Sequence, residues 1–594
     1  MSILKNIKRE WTYLSFLLPV LSKTNKLDKN PNLTVADLIE EQVDKNPSLI
    51  ALEYEDKKYT YQQLDQESNK VANWAIDKGY KYGDVISLLM ENKPEFLFAW
   101  IGLAKIGIIT ACLNSNIKGK SLSHCIGASK SASIIIGEEC LNNYSSAEDI
   151  LDQKIDAFVY GEETQGFENI KSDNDSRPGK EYRKDLINTD SLFYIYTSGT
   201  TGLPKASKFN HARFVAGASL QSQSLRMNTN DKTYMVLPLY HSTGGVVGVG
   251  ATFLTGGTLV LRRKFSAENF WKDCVKKEIT IITYIGEMLR YLTNTKESEF
   301  ENKHMIRGIF GNGLRPDVWK VFEKRFNISN IIEFYGSSEG NISTINADSY
   351  FGSIGRIPPY LASRMKTKIV KFNVEDEKVI RNSDGFCIEC GPDEIGEAIG
   401  LIPDDGKFAG RYDGYTSKEA SEKKILENVF ESGDRWFSSG DLLKKDSQGY
   451  FYFVDRIGDT FRWKSENVST NEVSEVVSAI PGIKEANIYG VEVPAQDGRA
   501  GMASLVIDEN FSISEFYQLL LDELPKYSIP VFLRISPEIE TTGTFKYKKT
   551  DLVKDGFDPN TITDELYFAD TSTNQYVKLD ANLFQKIHNQ EVRI

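Results

Sequence analysis

The stretch YIYTSGTTGLPK, Tyr194 to Lys205, sets hydroxyls, glycines and one lysine in a turn after an apolar strand. Such a loop is suited to phosphates. Gly199 and Gly202 let the backbone approach an anion and take positive φ, while Thr197, Ser198, Thr200 and Thr201 offer hydroxyl donors and Lys205 adds charge. It is not the standard P-loop, because Lys205 follows Pro204 and precedes Ala206 instead of sitting between Gly and Ser/Thr. A polar surface turn is the plain alternative, and the flanking sequence has to decide.

Short apolar strands alternate with helices on both sides. DVISLLM (Asp84 to Met90), IITACLN and SASIII (Ser131 to Ile136) read as strands, with PEFLFAWIGLAKIG as a helix after the first. Downstream come TYMVLP, a glycine-rich helix from Thr243 to Leu254, TLVL, a helix around Ser266 to Lys276, and ITIITYI. This rhythm predicts an α/β protein with parallel sheets under covering helices. The polar segment Gly161 to Asp185 reads as an exposed connection, open to disorder.

At 594 residues, 40% hydrophobic and 26% charged, the chain has the composition of a globular protein of more than one domain. A net charge of -12 without a basic run argues against nucleic acid as a partner, so an anionic nucleotide needs a local cationic site. Six scattered cysteines suit a reducing, cytosolic setting. Cys387 and Cys390 form one CxxC with no second pair and no histidines at ligand spacing, so GFCIECG reads as an alternating strand. The apolar run Trp11 to Leu21, preceded by Lys5, Lys8 and Arg9, is too short to span a bilayer and is interrupted by Pro19. It either lies on a lipid surface as a peripheral anchor or docks against its own domain.

Further motifs follow in order: PLYH at Pro238 to His241, EFYGSSEGN at Glu333 to Asn341, SGD at Ser439 to Asp441, DRIGDTFRWKSENVS at Asp455 to Ser469, and TTGTFKYKKTDL at Thr541 to Leu552. Their order and spacing resemble the adenylate-forming superfamily of acyl-CoA synthetases, peptide-synthetase adenylation domains and firefly luciferase. GDTFRWKSENVS, YGVEVPAQDGRAGM and TGTFKYKKTDLVKDGFDP resemble its fatty acid transport protein group, also called very-long-chain acyl-CoA synthetases. The likeness runs from about Leu38 to the C-terminus.

The resemblance implies a large N-terminal adenylate-forming domain over 36–455, after an N-terminal segment 1–35, and a small mobile α/β domain over 456–594. The hinge would lie at 456–459, with Gly458 and Asp459 as pivot residues. It implies ATP, Mg²⁺ and CoA. In the implied reaction a carboxylate attacks the α-phosphate of ATP, pyrophosphate leaves, and the acyl-adenylate then passes its acyl group to the CoA thiol, releasing AMP. A fatty acid with pKa ~4–5 is already ionised, so alignment and charge neutralisation suffice without a protein nucleophile.

By the same likeness, Thr197, Ser198, Gly199, Thr200, Thr201, Gly202 and Lys205 would hold the β- and γ-phosphates, and Glu339 would place Mg²⁺. Tyr335 and Gly336 would lie against adenine, with Gly311, Asn312 and Gly313 as another wall. Ser338 stands where threonine is common and keeps the hydroxyl. Asp441 would bind the ribose hydroxyls, Arg456 would add a second contact, and Lys546 would reach the substrate carboxylate and α-phosphate. Lys548 and Lys549 read as solvated surface. Arg462, Trp463 and Lys464 would meet CoA after a domain rotation. His241 reads either as a gate beside the acyl group or as a structural histidine. Gly244, Gly245 and Gly286 would either open an apolar acyl pocket or serve close helix packing.

A long or very long fatty acid is the implied substrate. A bile acid or carnitine-like acid is an alternative, as are a membrane-associated fatty-acid uptake protein and an enzyme loading a carrier protein.

Overall fold

The computed structural model describes residues 3–592 and 594, apart from 163, 198–203, 364, 375, 405–409, 465, 495, 497 and 543–546. Helix α1 (Ile3–Lys29) opens the chain and docks on the large domain. Its inner face buries Tyr13, Phe16, Val20 and Leu27, and Glu10 pairs with Arg356 at 2.7 Å. Its outer face leaves Ile7, Trp11, Leu18 and Leu21 exposed, Trp11 by 70%. Of the two surroundings expected of this segment, docking against its own domain is the one seen, and the outer face stays apolar and exposed. Among the described residues, no helix is long and apolar enough to cross a membrane.

The expected α/β rhythm appears as two mainly parallel sheets that share a core. In a seven-stranded sheet, Val85–Leu89, Ile109–Leu113 and Ser133–Gly137 run parallel. Strand β1 (Ser191–Thr197) joins them in parallel and returns as the antiparallel edge strand β2 (Lys205–Asn210). The Asn210 side chain accepts the Arg213 amide at 2.7 Å and so starts α2 (His211–Ser224). The eight-stranded sheet holds Lys232–Met235, Thr258–Leu261 and Ile281–Ile285 with β3 (Gly308–Asn312) and β4 (Ile331–Gly336).

The glycine-rich helix begins as a π-helical turn, Ser242–Gly248, before Val249–Phe253 continues as α-helix. Close approach to the chain before it requires the glycines. A Cβ on Gly245 would stand 1.9 Å from the Leu239 carbonyl, and one on Gly248 would stand 2.3 Å from Met235 Cε.

A six-stranded antiparallel sheet follows, with β5 (Arg435–Lys445) paired to β6 (Tyr450–Arg456). Beyond it lies a smaller domain with its own core, running from Phe461 to Ile587 over a five-stranded sheet. Its helix α3 (Thr470–Ser478) faces the large domain.

Two expectations need correction. The 161–185 connection is tied down, because Arg177 reaches Asp44 and Asp65, and Arg183 reaches Glu40 and Asp37. These groups surround Lys105, which is fully buried against Asp65, Asn69 and Glu40. Burial lowers the Lys105 pKa while Asp65 and Glu40 hold it up, so the cation depends on its partners. The segment is exposed over most of its described length, as expected, but Arg177 and Arg183 anchor it to this network. GFCIECG, for its part, forms isolated bridges, Arg381 to Cys387 and Val370 to Glu389, in place of a strand. Both thiols are buried, and burial pushes Cys390 up to about 11, far from a reactive thiolate.

Candidate active site

A cavity of about 1300 Å³ lies between the large and small domains. The ends of β1 and β2 meet at its wall, since Thr197 and Lys205 are register partners and both line it. Ser198, Gly199, Thr200, Thr201 and Gly202 lie outside the described residues. Lys205 Nζ sits 5.7 Å from the centre of the Tyr415 ring. The Tyr415 phenol is pushed up by burial and by the Glu339 carboxylate beside it. Tyr415 belongs to no recognisable motif, yet it stands between the lysine and the acid of the phosphate end.

The turn carrying Ser338 and Glu339 is clamped from beneath. Arg213 donates from Nη2 to the carbonyls of Ser337 at 3.1 Å and Gly340 at 2.8 Å, and it stacks on Phe209 at 4.7 Å. Burial pulls the Arg213 pKa down, and Asp413 and Glu339 oppose the shift. Ser338 Oγ meets Ser242 Oγ at 3.1 Å, linking this turn to the π-helical one.

At the other end, the Tyr335 hydroxyl donates to Asp441 Oδ2 at 2.6 Å. Asp441 and Arg456 face each other across β5 and β6, with Arg456 Nε 4.0 Å from Asp441 Oδ1. The Asp441 turn rests on buried Glu397, which accepts from Ser438 Oγ and, at 3.0 Å, from the Gly440 amide. Gly440 has φ 77°, a conformation that favours glycine.

Asn312 and Gly313 line the cavity beside Tyr335. Their turn is held by Glu333, which accepts from Tyr284 Oη at 2.6 Å and from the amides of Gly313 and Leu314 at 3.1 Å. Burial pushes Glu333 up to about 8 against those three bonds. Gly311 lies within β3, where a Cβ would stand 2.1 Å from the Tyr284 carbonyl.

Gly336, His241, Gly244 and Gly286 line the cavity, and the His241 ring lies 4.7 Å from that of Tyr240. Gly286 and Gly244 are also packing glycines, since added Cβ atoms would stand 1.7 Å from the Gly313 carbonyl and 2.6 Å from that of Pro238. Gly245 packs behind the wall. The described residues here thus owe their glycines to close packing, and apolar walls come from Leu237, Ile285 and Phe334.

The small domain turns one particular face to the cavity. Thr470, Asn471, Ser474, Tyr547 and Lys549 line it, as do Gly458 and Asp459, whereas Lys546 lies outside the described residues. Arg462, Trp463 and Lys464 are not among the lining residues. Trp463 is 2% exposed in the small domain's core and packs under Lys464 at 5.7 Å, so here it is a core residue and not a ligand contact. Lys549 corrects the surface reading: its Nζ pairs with Asp459 at 3.0 Å and donates to Thr470 Oγ1 at 2.8 Å. Lys548 does stay at the surface, paired with exposed Glu540.

Across the cleft, buried Asp455 accepts from the Thr470 amide at 2.6 Å, and Arg315 donates to Ser474 Oγ at 2.8 Å. Despite the chain's negative charge, Lys205, Arg315, Lys423, Lys424, Arg456 and Lys549 all face this space. It can hold a polyanion against these cations and a diol against Asp441.

A family profile described as AMP-binding enzyme matches residues 39–378. Long-chain fatty acid transport protein 1 of Rattus norvegicus is 40% identical over 538 residues, 89% of this chain and 83% of that protein. Long-chain fatty acid transport protein 2 of the same species is 39% identical over 577 residues, 95% and 92% of the two chains. Among solved structures, the anthranilate CoA ligase AuaEII with anthranoyl-AMP superposes with a TM-score of 0.73 at 18% identity, over 88% of this chain and 97% of that one. The Mycobacterium tuberculosis fatty acyl CoA synthetase does so at 0.61 and 22%, over 88% and 98%. These two likenesses establish the shared fold.

Proposed function

The chain belongs to the AMP-binding, adenylate-forming enzymes, within the group of the long-chain fatty acid transport proteins, and from that premise we propose that it is an ATP-dependent fatty acyl-CoA synthetase acting on long or very long chains. The observation that carries this reading is the convergence of Lys205, Glu339, Tyr335, Asp441 and Arg456 on one interdomain cavity. Phosphate-binding, acidic and diol-binding groups are spaced along a single wall, as a nucleoside triphosphate requires.

In this reading Asp441, oriented by the Tyr335 hydroxyl, accepts the ribose hydroxyls. Thr197 and Lys205 hold the phosphates, and Arg456 adds a cation near the ribose. The fatty acid arrives ionised past His241, so these residues have only to align it and neutralise charge. Lys546, in the segment before Tyr547, would meet the charge developing at the α-phosphate. Glu339 would hold Mg²⁺, which when bound neutralises phosphate oxygens. One carboxylate beside hydroxyls fits that ion, since Mg²⁺ takes most of its ligands from water and phosphate.

The 456–459 segment would then act as the hinge by which the small domain exchanges its Lys549 face for that of Arg462 and Lys464, toward CoA. The outer face of α1 supports contact with a membrane surface, where long-chain acids reside.

The test is AMP release from ATP and Mg²⁺ with fatty acids of increasing chain length, with and without CoA. CoA-dependent AMP formation that peaks at long chains is expected. If adenylate forms but CoA has no effect, a carrier protein becomes the acceptor. If no fatty acid releases AMP, the substrate class is wrong.

A further inference from the structure

Residues of β3 and β4 share a buried cluster with α1. Phe16 and Val20 on its inner face belong to one buried apolar cluster with Val247, Ala251, Phe310 and Ile345. Phe334 packs on that cluster, stacks on Phe310 with ring centres 5.0 Å apart at 20°, and lines the cavity as well. Strand alternation explains the division: Glu333 and Tyr335 serve the nucleotide side of β4, while Ile332 and Phe334 turn to the cluster.

The π-helical turn makes the same passage from the other side. Ser242, Thr243 and Gly244 line the cavity, and Val247, one turn on, sits in the cluster. A π-turn is a rare backbone state concentrated at functional sites. A single aromatic layer, Phe334 over Phe310, therefore separates the cavity from the inner face of α1. The cluster behind that layer is apolar and suited to a methylene chain, where each buried CH₂ strengthens binding about fourfold, and the buried Thr283 and Gln221 at its edge are hydrogen-bonded to each other.

We propose that an acyl tail too long for the cavity displaces Phe334, follows the π-helical turn into this cluster, and ends against Phe16 and Val20, so that α1 is the floor that sets the longest acid accepted. This rests on the acyl-activating reading given above. Polar ties of α1 lie toward its ends, Glu10 to Arg356 and Arg9 to Gln448 at one and Asn188 to the Leu27 carbonyl at the other, while Phe16 and Val20 between them sit in the apolar cluster.

The experiment compares AMP formation by wild type, Phe16→Ala and Phe16→Trp across saturated fatty acids of increasing length. Phe16→Ala removes floor and Phe16→Trp raises it. The longest acid used efficiently is expected to lengthen in the first and shorten in the second, each added pair of carbons gaining or losing on the order of tenfold in kcat/KM near the limit. A merely loosened helix cannot shift the limit in opposite directions. An unchanged limit in both variants, or an even loss at all lengths in both, overturns the proposal while the acyl-activating reading stands. A wild type that releases no AMP with any fatty acid overturns both.

Discussion

Tyr335 donates a 2.6 Å hydrogen bond to Asp441, and through it the eight-stranded sheet is joined to the six-stranded sheet at the wall of the cavity. The bond both shapes the nucleotide wall and orients the carboxylate. A hydrogen bond to a charged group contributes roughly 1.5–3 kcal/mol. Tyr335→Phe is expected to raise the KM for ATP about tenfold with kcat for AMP formation little changed, and Asp441→Asn to raise it more, as initial rates over an ATP series will show.

Glu333 gives a pH signature. Its carboxyl titrates at ~4.3 in an unfolded chain and at about 8 in the fold, so the native state holds an extra proton between those values. The stability this contributes is complete below the unfolded value, falls as pH rises, and is gone above about 8. Wild type is expected to lose stability across that window more steeply than Glu333→Gln, by up to ~1.4 kcal/mol per pH unit. Urea midpoints of the two proteins at a series of pH values measure the difference, and parallel profiles would refute it.

Arg213 holds the Glu339 turn by two hydrogen bonds from Nη2 while its guanidinium plane stacks on Phe209, a stacked placement that lysine does not reproduce. Arg213→Lys is expected to raise the Mg²⁺ concentration for half-maximal AMP formation about tenfold, with the KM for fatty acid unchanged. A Mg²⁺ titration at saturating ATP checks it, and a loss confined to thermal stability would leave Arg213 as a packing residue only.

Lys549 and Lys548 are neighbours with different expected effects. Lys549→Ala removes the contacts to Asp459 and Thr470 and is expected to slow AMP formation about tenfold, whereas Lys548→Ala, at an exposed pair, changes it less than about twofold. Equal behaviour of the two variants would mean that Lys549 is not part of the interdomain seat.

The outer face of α1 predicts lipid binding. Trp11→Asp with Leu18→Asp is expected to reduce co-sedimentation with anionic liposomes at least about fivefold without altering the circular dichroism spectrum. Unchanged pelleting would assign those exposed side chains to another partner or to none.

That Thr197, Lys205, Glu339, Asp441 and Arg456 belong together was legible in the chain, because the motifs that carry them keep a particular order and spacing, and all five line one cavity. The α/β rhythm was legible for a related reason, since strands such as Val85–Leu89 and Ile281–Ile285 are apolar runs of strand length between helical patterns. Tyr415, Arg213 and Glu333 carried no such mark. An ordinary tyrosine in RYDGYTS becomes part of the site only because its neighbours, Lys205 and Glu339, arrive from segments far away in sequence.

The same distinction separates Lys549 from Lys548 and the two faces of α1. Sequence alone determined the family and the alternation of strands and helices, because those depend on residue identity and local backbone geometry. Tertiary structure decided which lysine reaches Asp459 and Thr470, how Arg177 and Arg183 anchor the segment from Gly161 to Asp185, which glycines are packing and what lies beneath Phe334. Burial and long-range pairing depend on surroundings that no single stretch of chain contains.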